Sequence, residues 1–119
     1  QNSYDPSRIA MNDKYLMISN VGGFPLLFYK LPFSFNSPKY HSLYKKWLRS
    51  IKFHPDGDLV TMDFSGVVSK YRISDEESPE LIWKCASIGA AYALCVDQSR
   101  GLVYVTGHDH MLYIISDGM

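Results

Sequence analysis

A chain of 119 residues with 12 basic and 12 acidic side chains carries no formal net charge, so neither a polyanion nor an anionic membrane has a global electrostatic handle on it. Hydrophobic residues at 46% and aromatics at 14% are enough to build a core. No apolar stretch approaches the roughly 20 residues of a membrane-spanning helix, no signal-peptide layout opens the chain, and no Asn-x-Ser/Thr sequon occurs in it.

In chain order, residues 1–7 are a polar lead-in and the first expected strand begins near Arg8. Leu16-Met17-Ile18-Ser19 is an apolar run that reads as the second. Gly22-Gly23 then sits in a strand-to-strand position, where a hairpin turn accounts for the glycines. Residues 31–47 are the least regular segment: Leu31 to Pro38 contains two prolines, and the Tyr- and Lys-rich run after it is expected to hold a fourth strand. No helix is expected with any length; Ser42 to Leu48 has room for one turn.

The middle of the chain is the clearest. Ile51 and Phe53 alternate with Lys52, a period of two that marks a strand. Pro55-Asp56-Gly57 is a turn, because Pro presets φ and Gly accepts a positive φ. Leu59-Val60-Thr61-Met62 is nearly continuous in its apolarity, as a strand covered on both faces should be. Ser65-Gly66 gives the next turn, Val67 to Ile73 the third strand and Glu80 to Cys85 the fourth. Between them Asp75-Glu76-Glu77 reads as a solvated acidic turn. A third copy follows, with Leu102-Val103-Tyr104-Val105 as its apolar run, His108-Asp109-His110 as a polar hairpin turn and a third strand ending near Ile115.

Leu16, Leu59 and Leu102 are 43 residues apart, and Ala10, Phe53 and Val96 each stand six residues before them. A period of about 40–45 residues made of short strands marks a β-propeller, with one four-stranded antiparallel blade per repeat. The stretch Leu48 to Ile73 resembles the WD-repeat family: an apolar strand, a Pro-Asp-Gly turn, a second apolar strand, a polar-Gly turn and a third strand ending in an aromatic. The resemblance extends over the first and third copies. The Trp-Asp pair of the family is absent; Tyr71-Arg72 stands there in the middle copy, with Phe28-Tyr29 and Ile114-Ile115 near it in the others. The Gly-His pair is also absent, and His41 lies too far upstream to replace it.

The fold class is therefore all-β, with blades expected at about 8–46, 47–89 and 90–119, the last lacking its outer strand. At 43 residues per repeat the chain holds about 2.8 repeats, whereas propellers close with four to eight blades. We expect a partial propeller, a piece of a longer one or a chain paired with the missing blades. A β-sandwich is the alternative fold, and the repeat argues against it.

Cys85 and Cys95 fall on an outer strand and on the next blade's inner strand, a placement that does not favour a disulfide. With the missing sequon, this points to an intracellular setting, cytoplasm or nucleus. His108-Asp109-His110 is the most chemical-looking cluster, yet zinc wants three or four ligands and no third is evident. No catalytic residue, metal site or cofactor site is indicated: no Walker loop, nucleophile elbow or His-Glu-x-x-His occurs. Lys39 to Arg49 interleaves bases with aromatics, the marker of an RNA-binding propeller; the acids elsewhere cancel its charge, and an outer strand with a solvated face is the favoured explanation.

The resemblance implies a non-enzymatic scaffold that binds other proteins or peptides and packs against the remaining blades. Nucleic acid is not favoured and no membrane is implied. The alternatives are the RNA-binding propeller and an enzyme propeller with its site in the missing blades. In a WD-like blade the entrance to the first strand and the turn between the second and third emerge on one rim. That assigns Trp47, Arg49, Phe64, Tyr92, His108 and His110 to a shared partner-binding face, with Phe64 the best single residue.

Overall fold

A computed structural model describes residues 6–20, 26–31, 39–41, 48–74 and 79–116. They form three antiparallel sheets, each with its strands in chain order. The first holds β1 (Pro6–Met11), β2 (Tyr15–Asn20), β3 (Leu26–Lys30) and β4 (Lys39–His41). The second holds β5 (Leu48–Phe53), β6 (Leu59–Asp63), β7 (Val68–Arg72) and β8 (Glu80–Lys84). The third holds β9 (Ala91–Val96), β10 (Val103–Gly107) and β11 (Leu112–Ile115). No helix occurs among the described residues.

The sheets stack face to face, and the middle one is covered on both sides. Every residue of β6 is buried. Its side chains alternate between two cores, as a period of two requires. Leu59 joins Tyr15, Met17 and Phe28 of the first sheet, together with Ile51 and Phe53 of its own. Val60 and Met62 join Leu94, Val96, Val103 and Val105 of the third. Each such aliphatic side chain contributes about 1.5–3 kcal/mol by leaving water, so the apolar run at Leu59 stabilises two interfaces at once.

The hairpins that link the first two strands of each sheet share a device. A polar side chain just after the first strand accepts hydrogen bonds from the amides of its own turn. Asn12 Oδ1 takes the amides of Lys14 and Tyr15 at 2.9 and 2.8 Å. Asp97 Oδ1 takes the amides of Ser99 and Arg100 and the Ser99 hydroxyl. His54 holds the same place in the middle sheet, where Nδ1 accepts the Asp56 amide at 3.3 Å. Turn polarity is only part of its role. The ring is buried, and Nε2 reaches the Gly101 carbonyl of the next sheet at 2.8 Å.

The outward faces of the stack are apolar. Ile9 and Met11 on β1, and Leu112 and Ile114 on β11, are all more than half exposed.

Candidate interaction site

The site starts from a fault in strand pairing that recurs in each sheet. In the second sheet Leu48 pairs with Asp63 and Ser50 with Met62, which leaves Arg49 as an extra residue on β5. In the third, Gly107 pairs with Ala91 and Thr106 with Ala93, which leaves Tyr92 extra on β9. In the first, Pro6 pairs with Asn20 and Arg8 with Ser19, which leaves Ser7 extra on β1. These are β-bulges, and a bulge re-aims the side chain of its unpaired residue. Arg49 and Tyr92 therefore leave the alternation of their strands at equivalent places in adjacent sheets.

The facing turns are fixed by the segment that joins β8 to β9. Asp63 is buried and accepts from the amides of Ser65 and Val67 and from the Ser65 hydroxyl, which shapes the β6–β7 turn. Gly66 has φ +89°, and a Cβ there would lie 2.0 Å from the Ile88 carbonyl oxygen. That close approach lets the Ile88 amide donate to the Gly66 carbonyl and the Ser87 hydroxyl to the Ser65 carbonyl. Two residues on, the Ala90 carbonyl accepts the His108 amide at 2.9 Å. One short connector thus holds both the turn that carries Phe64 and the turn that carries His108.

With bulges and turns so placed, four side chains form a continuous stack across two sheets. The Arg49 guanidinium carbon lies 4.4 Å from the Phe64 ring centroid and 4.8 Å from that of Tyr92. Tyr92 in turn meets the His108 ring at 4.6 Å with a tilt of 58°. Phe64 and Tyr92 remain 45% and 52% exposed, so the rings keep free surface after stacking. A cation within about 6 Å of a ring centroid is attracted by the ring quadrupole, at roughly 0.5–1 kcal/mol when exposed.

Arg49, Phe64, Tyr92 and His108 are thus brought together, as the repeat register expects of residues on one rim. His110 shares the turn but is absent from these ring contacts. It takes the left-handed conformation, φ 62°, at the position that Gly66 fills in the middle sheet, and its amide donates to Gly107. Asp109, between the two histidines, accepts the Tyr113 hydroxyl at 2.6 Å and the Met111 amide. The tyrosine hydroxyl first, and the amide after it, hold its carboxyl below the usual range. No group of three or more His, Cys, Asp or Glu among the described residues is placed to hold a metal ion. Trp47, most of the Lys39–Arg49 stretch, and Asp75 to Glu77 lie outside the described residues.

No protein-family model matches the sequence, and no curated protein matches it. Solved structures do. The WD40 domain of Toxoplasma gondii coronin superposes on 95% of this chain with a TM-score of 0.71 at 16% identity, over 32% of its own length. Virginiamycin B lyase of Staphylococcus aureus superposes on 100% of it with a TM-score of 0.66 at 10% identity, over 43% of its own length. The fold is that of a partial β-propeller. The chain spans about a third of the coronin structure and less than half of the lyase, and at these identities the likeness is one of fold.

In propeller terms each sheet is a blade and β1, β5 and β9 are the inner strands. A groove of about 670 Å³ runs along them, lined among others by Met11, Lys52, Phe53 and Cys95. The stack of Arg49 lies at one end of these strands, and the β5–β6 turn lies at the other. At that second rim the propeller buries a charge network. Lys70, on β7, is 2% exposed and reaches Asp56 Oδ2 at 2.6 Å and Asp58 Oδ2 at 3.7 Å. Arg72 Nε lies 3.6 Å from Asp58 Oδ1. Burial pushes the Asp56 carboxyl up, but the Lys70 hydrogen bond, the turn amide and the nearby cations outweigh it and the net shift is down. Asp58 goes up, through its burial first and then the charge of Asp56. Sequence patterning gave no sign of this network, because its acids precede Lys70 and meet it only once Val60 pairs with Lys70 across the hairpin.

Proposed function

We propose that the chain belongs to a non-enzymatic interaction scaffold, and that the rim carrying Arg49, Phe64, Tyr92 and His108 is where a protein or peptide partner docks. The observation that supports this reading is the stack itself. Two half-exposed aromatic rings flank an arginine on a rigid rim, contributed by two adjacent blades. Tyr and Arg are among the residue types that most often dominate interface energy. The exposed Ile9, Met11, Leu112 and Ile114 fit cover by further blades of the same propeller, a second class of partner. Cys85 and Cys95 are both free thiols, which accords with an intracellular compartment.

The test is to substitute Phe64→Ala and Arg49→Ala in the full-length protein, verify unchanged melting, and quantify the partners each variant captures against wild type. Loss of a partner from both variants supports the reading. Retention of every partner at wild-type level moves the docking face to the opposite rim.

A further inference from the structure

The same stack has a chemical preference. Resting on the proposal that this rim docks a partner, we infer that Arg49 is a receptor for a carboxylate, so that the partner presents an acidic side chain, Asp or Glu, into the gap between Phe64 and Tyr92.

Arg49 is a cation with its counter-charges withdrawn. The acids of the two rim turns are engaged in shaping those turns: Asp63 is buried and spends Oδ1 on two amides and a hydroxyl, and Asp109, exposed, accepts from the Tyr113 hydroxyl and the Met111 amide. Among the described residues no carboxylate lies within ion-pair distance of Arg49. Its Nε is buried and finds no acceptor among the described residues. A guanidinium without an internal acceptor leaves its outward N–H groups for an arriving oxygen to satisfy.

The two rings direct the approach. With the Phe64 and Tyr92 centroids 4.4 and 4.8 Å from the guanidinium carbon, a ligand that reaches the N–H edge of the fork arrives beside aromatic surface. Aromatic walls also displace water, which strengthens an ion pair formed between them. A planar carboxylate matches that edge one to one, with parallel N–H···O bonds. A phosphate dianion calls for several cations, as the Arg clusters that read phosphorylated residues supply. Arg8, the nearby arginine on the first blade, gives its Nε to the Arg49 carbonyl. The site therefore favours carboxylate over phosphate.

The experiment uses the full-length protein and four synthetic hexapeptide libraries, identical except for a central Glu, Gln, Lys or phosphoserine, read by fluorescence polarisation. The Glu library is expected to bind at least tenfold tighter than the Gln library. Arg49→Met should abolish that preference, and Arg49→Lys should restore only part of it, because an ammonium lacks the fork. Phe64→Ala should weaken the Glu and Gln libraries alike, since it removes apolar contact to both. If Phe64→Ala weakens binding but Glu and Gln bind equally, the rim docks partners and the carboxylate inference is wrong. If no library binds, or if neither Phe64→Ala nor Arg49→Met changes binding, both readings fall. A preference for phosphoserine over Glu overturns the inference in favour of a phosphorylated partner.

Discussion

Replacing Lys70 by Met tests whether the buried charge network stabilises the second blade. The Lys70 stem is buried and its ammonium is the shared partner of Asp56 and Asp58. Met fills nearly the same volume, so no cavity is expected and the effect isolates the charge. Removing one member of a buried pair costs about 3–5 kcal/mol when the survivor is stranded. Two facts lower that figure. The Asp56 side chain is 42% exposed and can rehydrate, and Arg72 stays within 3.6 Å of Asp58. The Asp58 side chain, 7% exposed, carries most of the penalty, and we expect a loss of about 2 kcal/mol. Urea unfolding should show it as a lower midpoint at unchanged slope. The pH dependence has a definite sign. Asp56, with its pKa lowered on folding, stabilises the protein above the ordinary carboxylate range, and that contribution fades as pH falls through its folded pKa. Asp58, already raised, rises further without Lys70 and takes up its proton sooner. Acid should therefore narrow the gap between Lys70→Met and wild type. A gap under about 0.5 kcal/mol at neutral pH, the usual reach of a plain surface substitution, or one that widens in acid, would refute the argument.

Phe53→Ala should destabilise the protein by roughly 3–5 kcal/mol in thermal or chemical melts, because the ring sits in the core shared by the first two blades; a change below about 0.5 kcal/mol would place it outside that core. Gly66→Ala should cost clearly more than Gly57→Ala. Both positions have positive φ, worth about 1–2 kcal/mol against any L side chain, but a Cβ on Gly66 meets the Ile88 backbone while one on Gly57 meets open space; equal losses would contradict the connector geometry. Residues 1–119 alone should self-associate in sedimentation, driven by exposed Ile9, Met11, Leu112 and Ile114; a monomer at all concentrations would count against it.

The architecture was legible because burial on both faces leaves an unmistakable trace. Leu59 to Met62 is nearly continuous in its apolarity because both faces of β6 are covered, and the matching runs at Leu16 and Leu102 expose the repeat. The convergence of Arg49, Phe64, Tyr92 and His108 was readable for the same reason: equal positions in successive repeats share a rim. The stacking itself was not, since it depends on bulges that count two residues against one and leave no mark in composition. His54 and Lys70 were illegible for a different reason. A histidine before Pro55 reads as turn polarity and a lysine in a strand reads as solvated. Their partners, Gly101 and the pair Asp56 and Asp58, are supplied by a neighbouring blade and by a hairpin register. His110 shows the opposite limit, since nothing around it announces a left-handed backbone.

The unpaired residue on each inner strand also bears on how such a rim can change over time. In the second and third sheets its neighbours are committed: Leu48 and Ala91 pack into the cores, and Ser50 and Ala93 pair across the sheet. The bulge residue answers to neither constraint, so its identity is free to vary while the ladder beside it stays in register. Arg49 and Tyr92 are a cation and an aromatic ring in one structural slot. A ring of such slots would let a lineage rewrite what the scaffold recognises by single substitutions, one per repeat, with little penalty in folding.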